Sequence, residues 1–163
     1  MRIPALAPAD LRLLAQYDTP TICNVIELFD IRPRDAGYMD GRIRACFPDM
    51  PPIVGYASTA TFRGAFPRPE GVAYASLDEQ VKTFAELPGP PIVVFQDVDD
   101  PPVAATFGEI MCATYQAFGA VGLVTSGAAR DLDQVRRLGF AAFSNGAICS
   151  HGYSSIVSVG QPV

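Results

Sequence analysis

Three ionisable side chains stand at the rims of an otherwise apolar stretch, residues 107–131, FGEIMCATYQAFGAVGLVTSGAARD: Glu109 near its start, Arg130 and Asp131 at its finish. Asp131 is a hard oxygen ligand able to hold a divalent cation. Arg130 offers a planar fork that matches a substrate carboxylate. A helix opening near Gly108 would turn the free amides of Ile110 and Met111, and the positive end of its dipole, toward an anion. Glu109 could hold a water beside the metal. Together these groups suit a small anionic 2-keto acid that chelates a metal. A plainer role fits the same residues: Arg-Asp as a helix cap with a surface ion pair, and Glu109 as a first-turn acid that favours the dipole.

The elements around these residues must bring them together. Ile110, Ala113, Thr114, Ala117 and Phe118 recur at helical spacing and predict one apolar stripe, with Cys112 beside it and Gly119 ending the helix. Val121–Thr125 runs apolar without alternation, which predicts a strand buried on both faces of a parallel sheet. Thr125–Ala129 reads as the loop leaving it. Pro91–Gln96 is a strand too, with Glu109 beyond its C-terminal loop. Two neighbouring parallel strands would then deliver Glu109 and Arg130/Asp131 to one sheet edge, and open α/β sheets bind ligands outside the carboxyl ends of their strands. Leu132, Val135 and Leu138 predict a helix closed by Gly139, and Phe140–Phe143 the next strand. The order over 92–143 is a parallel, right-handed βαβαβ unit. Gly119, Gly122 and Gly127 lack the G-x-G-x-x-G spacing of a dinucleotide site and read as turn and packing glycines.

Upstream, residues 8–16 predict a short helix. Thr19 reads as the N-cap of a second, with Pro20 at its first position and Ile22, Val25, Ile26 and Phe29 as its stripe. Residues 30–52 read as loop, Ile53–Phe62 as a strand and 64–75 as loop. Ser76 and Glu79 match a capping box ahead of Leu77, Val81, Phe84 and Ala85. Asp97, Asp99 and Asp100 read as a solvated turn, with cation binding the alternative. Ser144–His151 reads as loop and Ile156–Val159 as a last strand. The expectation is one α/β domain over 1–163: N-terminal helices in 8–29 and a layered core over 53–159 with a central, mostly parallel sheet flanked by helices.

Composition narrows the chemistry. With 49% hydrophobic and 18% charged residues the chain is globular rather than disordered. A net charge of −5, with no basic run among aromatics, argues against nucleic acid as a partner. No apolar window approaches the roughly 20 residues of a membrane span, and the N-terminus lacks a signal-peptide core, so a cytoplasmic protein is expected. The four cysteines show no paired spacing and read as reduced thiols. His151 is the only histidine, which disfavours histidine-rich zinc sites and a Ser-His-Asp triad. A metal here would use oxygen ligands, as magnesium or manganese does. No lysine lies in 107–131, which disfavours a Schiff-base aldolase.

The segment GEIMCATYQAFGAVGLVTSGAARDLDQVRRLGF, with TPTICNVIELF and GYASTATF before it, resembles the RraA-like family, the ribonuclease E activity regulators and 4-hydroxy-4-methyl-2-oxoglutarate aldolases. The resemblance covers nearly the whole chain. The aldolase branch carries an acid, twenty residues, then Arg-Asp; here these are Glu109, in place of the usual Asp, and Arg130-Asp131. It implies Asp131 as metal ligand, Arg130 as substrate-binding and catalytic, Glu109 as holder of a catalytic water, and the amides at Gly108, Ile110 and Met111 as the pyruvate-carboxylate cradle. It also implies a trimer or hexamer with sites between subunits. Family chains usually continue past this point with an acidic residue for a neighbour's site, so this chain reads as C-terminally short. The implied activity is a magnesium- or manganese-dependent lyase. The alternative is a regulator that binds and inhibits a ribonuclease without catalysis.

Overall fold

The computed structural model describes residues 5–71 and 75–163. Its strands are β1 (Arg44–Ala45), β2 (Tyr56–Arg63), β3 (Pro91–Asp97), β4 (Ala105–Phe107), β5 (Gly122–Thr125), β6 (Ala128–Ala129), β7 (Ala141–Ser144) and β8 (Ser155–Val159). Six of them form the main sheet in the order β1-β7-β5-β3-β2-β8. β2, β3, β5 and β7 run parallel, while β1 and β8 pair antiparallel at the two edges. The mostly parallel centre is the one expected. β5 is buried at all four positions, as its unbroken apolar run requires. A Cβ on Gly122 would collide with Ile53 Cδ1 and lie 2.8 Å from the Ala141 carbonyl, so glycine is what lets β5 and β7 approach.

The helices are α1 (Pro8–Leu14), α2 (Thr19–Glu27), α3 (Leu77–Thr83), α4 (Glu109–Ala117) and α5 (Leu132–Leu138). α3 lies over β2 and β8, and α4 lies over β5 beside α5. Between them and the sheet, Phe62 meets Phe95 edge-on at 6.2 Å, and Tyr115 sits 6.0 Å from Phe84 and 6.4 Å from Phe95. One polar chain crosses this core. The Tyr115 hydroxyl donates to Gln80 Oε1 at 2.6 Å, and Gln80 Nε2 donates to the Ser58 carbonyl at 3.2 Å. Burial pushes the Tyr115 hydroxyl well above its ordinary pKa.

The helix faces correct two expectations. α4 buries Cys112 and Tyr115, whereas Ile110 is 79% exposed and Phe118 60%. The stripe read as the inner face is turned outward. α4 is apolar nearly all round, so spacing cannot choose its face; the Tyr115–Gln80 bond and the aromatic cluster choose it. In α2 the N-cap is Asp18, not Thr19: its carboxylate accepts from Thr21 N at 2.9 Å, and Thr19 and Pro20 are the first helical residues. No residue of α1 or α2 is buried, and Val25 and Phe29 of the expected stripe are exposed. α1 ends at Leu14 and β2 begins at Tyr56, shorter than the spans expected at 8–16 and 53–62. Part of the loop expected over 64–75, residues 72–74, lies outside the described residues. At α3, Ser76 N donates to the Glu79 carboxylate at 2.9 Å, as the capping box requires.

Candidate functional site

The delivering strands are β4 and β6, not β3 and β5 as expected. The loop expected over 125–129 contains β6, which pairs parallel with β4 in a separate two-stranded sheet. Both strands are fully buried and rich in alanine, too short to show a periodicity. Gly127 makes their approach possible: a Cβ there would collide with Thr106 Oγ1 and Asp97 Oδ2. Beyond the pair, Arg130 N donates to the Phe107 carbonyl at 3.0 Å. That bond sets Arg130-Asp131 against Gly108, the N-cap of α4.

Asp131 has a left-handed backbone, φ 56° and ψ 34°, a conformation that Asp tolerates better than most residues. It opens α5, yet its side chain makes no capping bond to that helix. The carboxylate turns instead to α4, where Oδ2 accepts from Glu109 N at 3.2 Å. Arg130 Nε lies 3.5 Å from the same oxygen, and both side chains are about one-third exposed (33% and 36%). Oδ1 has no hydrogen-bond partner among the described residues. So Asp131 does not cap α5, the helix it opens, but bonds the first amide of α4, and its part-exposed ion pair with Arg130 adds little stability. What the arrangement supplies is position: a carboxylate, a guanidinium and the first turn of α4 converge.

These groups line a cavity of about 190 Å³, walled by β4, Gly108, Ile110, Met111, Arg130, Asp131, His151 and Ser154. Its volume is small beside the roughly 300–1,000 Å³ of drug-sized pockets, which suits a short acid. A shallower depression of about 420 Å³ lies on the other side of Arg130 and Asp131, toward Ala147–Cys149. Of the residues expected at the site, the structure brings together Gly108, Ile110, Met111, Arg130 and Asp131. Glu109 contributes its amide, but its exposed carboxylate is not on the cavity wall. His151 and Ser154 were not foreseen; they arrive from 20 residues or more beyond Asp131, and the only available signal was that His151 is the sole histidine. Beneath the site, burial foremost, with the negative charges of Cys46 and Asp131 adding to it, pushes the Cys112 thiol up to about 12.

A larger cavity of about 520 Å³ lies near the ends of β3 and β5, where Asp97, Asp99 and Asp100 stand. Its charges are already engaged. Asp97 accepts from Asp99 N at 3.0 Å and Thr106 at 3.3 Å, Asp99 accepts from the amides of Gly64 and Ala65, and Asp100 pairs with Arg42. The acidic cluster is a braced turn. No group of three metal-ligating side chains occurs among the described residues. At the 190 Å³ cavity Asp131 is, among the described residues, the one carboxylate on the wall, and magnesium sites with so few protein donors draw the rest from substrate and water.

A parallel α/β sheet with a small cleft where a strand end meets a helix N-terminus is a ligand-binding arrangement. Residues 19–163 match the RraA-like family model, Aldolase/RraA, and the chain belongs to that family. The family includes both 4-hydroxy-4-methyl-2-oxoglutarate aldolases and inhibitors of ribonuclease E, its members are oligomeric, and some bind ribonuclease E. Among solved structures, a protein of Pseudomonas syringae pv. tomato is similar over 100% of this chain and 70% of its own, with 20% identity and a TM-score of 0.72. A protein described among novel cellulases from gut-associated microbes is similar over the same shares, with 20% identity and a TM-score of 0.75. Streptomyces coelicolor RraAS2, called an unusual member of the RNase ES inhibitor RraA family, is similar over 96% of this chain and 74% of its own, with 21% identity and a TM-score of 0.71. At these identities the likeness establishes the fold alone. No curated protein sequence matches this chain. Among the described residues no helix is long and apolar enough to cross a membrane.

Proposed function

We propose that this protein is a divalent-metal-dependent lyase that cleaves 4-hydroxy-4-methyl-2-oxoglutarate into two pyruvates and decarboxylates oxaloacetate. One observation carries the reading: Asp131 leaves its own helix uncapped and aims its carboxylate at the first turn of α4, beside Arg130. The substrate's 2-keto acid end would lie over that turn, its carboxylate on the amides of Ile110 and Met111 with the positive end of the dipole beneath. Arg130 would steady the same anion and the charge that grows on the keto oxygen as the C–C bond breaks. A magnesium or manganese ion held by Asp131 would supply Lewis-acid stabilisation of that charge. Glu109, at the rim, would take the C4 hydroxyl proton through a water. A homotrimer or hexamer is the proposed assembly, and size measurement in solution checks it.

The test is pyruvate release from each substrate with magnesium, with manganese and with chelator. Release should stop with chelator and fall at least about a hundredfold in Asp131→Asn, a variant whose side chain still tolerates the left-handed backbone. Activity that survives either treatment defeats the reading. A second reading, contact inhibition of a ribonuclease, draws on the exposed Leu28, Phe29 and Ile31 at and beyond the end of α2. Retention of a ribonuclease in pull-down, with no pyruvate released, would favour it.

A further inference from the structure

Splitting the C3–C4 bond leaves an enolate that must gain a proton at C3, and no residue has yet been assigned to donate it. Arg130 is assigned to the substrate anion, Asp131 to the cation, and Glu109 to the C4 hydroxyl proton. The other wall residues on β4 and α4 are Ala105, Thr106, Phe107, Gly108, Ile110 and Met111, none of which exchanges protons near neutrality. Among the described residues, one on the wall carries a general acid–base side chain: His151.

His151 is held on a built turn. Before it, the Ser150 carbonyl accepts from Ala105 N at 2.9 Å, which ties the chain to the start of β4. After it, Tyr153 N donates to the Gly64 carbonyl at 2.9 Å, and Ser154 Oγ donates back to the His151 carbonyl at 2.6 Å. Gly152 has φ +53° and packs so closely that a Cβ there would lie 2.6 Å from Ala104 Cβ and 2.7 Å from the Gly64 carbonyl. The turn is thus locked to β4, the strand that ends at Phe107. The His151 ring has Nδ1 3.3 Å from the Gly152 carbonyl. In the imidazolium form both ring nitrogens donate, so Nδ1 can hold that carbonyl while Nε2–H remains for a ligand.

We propose that His151 is the proton donor to the enolate, an inference that rests on the lyase reading. The step balances. The C3–C4 electron pair passes into the enolate as the C4 hydroxyl proton leaves toward Glu109. C3 then takes the proton from Nε2–H, giving the second pyruvate and neutral imidazole. The exposed ring recovers a proton from solvent, and the exposed Glu109 releases its proton there, which restores both groups.

As the sole histidine, His151 gives a single imidazole Cε1–H signal in the proton NMR spectrum. Oxalate, a planar mimic of the pyruvate enolate, added with magnesium should shift that signal in the wild type and in His-retaining controls. In His151→Gln, kcat for pyruvate release should fall about a hundredfold or more, the usual worth of a positioned acid, with KM within about twofold. Exchange of pyruvate methyl hydrogens with deuterium oxide should fall in parallel, and added imidazole should restore part of the rate in His151→Ala. Because the ring is exposed, unchanged circular dichroism should accompany these losses. A wild type that releases pyruvate while His151→Gln keeps its kcat overturns this proposal alone, as does an unmoved signal under saturating oxalate. A wild type that releases no pyruvate overturns the lyase reading beneath it.

Discussion

Replacing Gly108 with alanine isolates the geometry of the site from its chemistry. The backbone there is extended, φ −150° and ψ −165°, so alanine meets no conformational barrier. The obstacle is the neighbouring pair. The new Cβ would fall well inside 3.0 Å of Asp131 Oδ2, 3.1 Å from Arg130 Cγ and 3.2 Å from Arg130 Nε. The carboxylate must retreat by roughly half an ångström or more, because packed interiors do not absorb such overlaps. Its bond from Glu109 N, already 3.2 Å, would break. A misplacement near 1 Å at a reacting site costs about a hundredfold, or roughly 2.7 kcal/mol of barrier. The outer side chains are one-third exposed and can swing toward solvent, so the loss of folding stability should stay below about 1 kcal/mol. The assay is kcat/KM for pyruvate release beside manganese affinity measured by electron paramagnetic resonance, with urea unfolding as control. A Gly108→Ala protein that folds normally and keeps kcat/KM within about threefold would show that the Asp131–α4 contact does not position the chemistry.

Two further predictions concern the frame. Burial raises the Asp97 carboxyl above its ordinary range, against the lowering pull of its bonds from Asp99 N and Thr106. A carboxyl raised in the fold stabilises below its unfolded pKa, and that contribution is lost as pH climbs through the raised value. The Tm of Asp97→Asn minus that of wild type should therefore grow as pH rises from the ordinary carboxylate range, about 3.9, and then level off; a difference that shrinks with pH would contradict the assignment. In the core, Tyr115→Phe strands Gln80 Oε1 without its 2.6 Å partner and should cost about 1–3 kcal/mol in urea unfolding. Recovery of part of that loss in the double variant with Gln80→Met would mark the bond, and a loss below about 0.5 kcal/mol would count against it.

The sequence carries some of this architecture openly. Val121–Thr125 has no polar alternation because β5 is covered on both faces, and Gly139 closes α5 with φ +67° because a left-handed end favours glycine. Other features leave little trace. α4 offers apolar residues in most directions, so its inner face is decided by a tyrosine hydroxyl finding a glutamine 35 residues away. β4 and β6 are an Ala-Thr-Phe and an Ala-Ala, below the length at which alternation can be read. Glu109 was legible as a charge near the site, but not as one whose amide holds Asp131 while its carboxylate stays off the cavity wall. His151 could not be placed, since its position depends on a turn tied to Ala105 and Gly64 across the fold.

The two activities found in this family ask different things of one scaffold. Inhibition by contact needs an outer surface, and an Arg-Asp pair serving only such a surface would do as well with Asp131 capping α5. Asp131 shares its left-handed backbone with Asp30 and Phe66, and Asp adopts it more readily than most residues, but here it comes without the cap bond an aspartate at this position would ordinarily make. A conformation of this kind persists where surrounding structure enforces it. The enforcing structure is visible: the Phe107–Arg130 backbone bond on one side and a glycine at 108 that leaves room for the carboxylate on the other. The conformation is therefore better accounted for by what Asp131 faces than by the helix it begins. This is why the proposed chemistry is assigned to the 190 Å³ cleft beside it rather than to the wider cavity, whose carboxylates are already bonded.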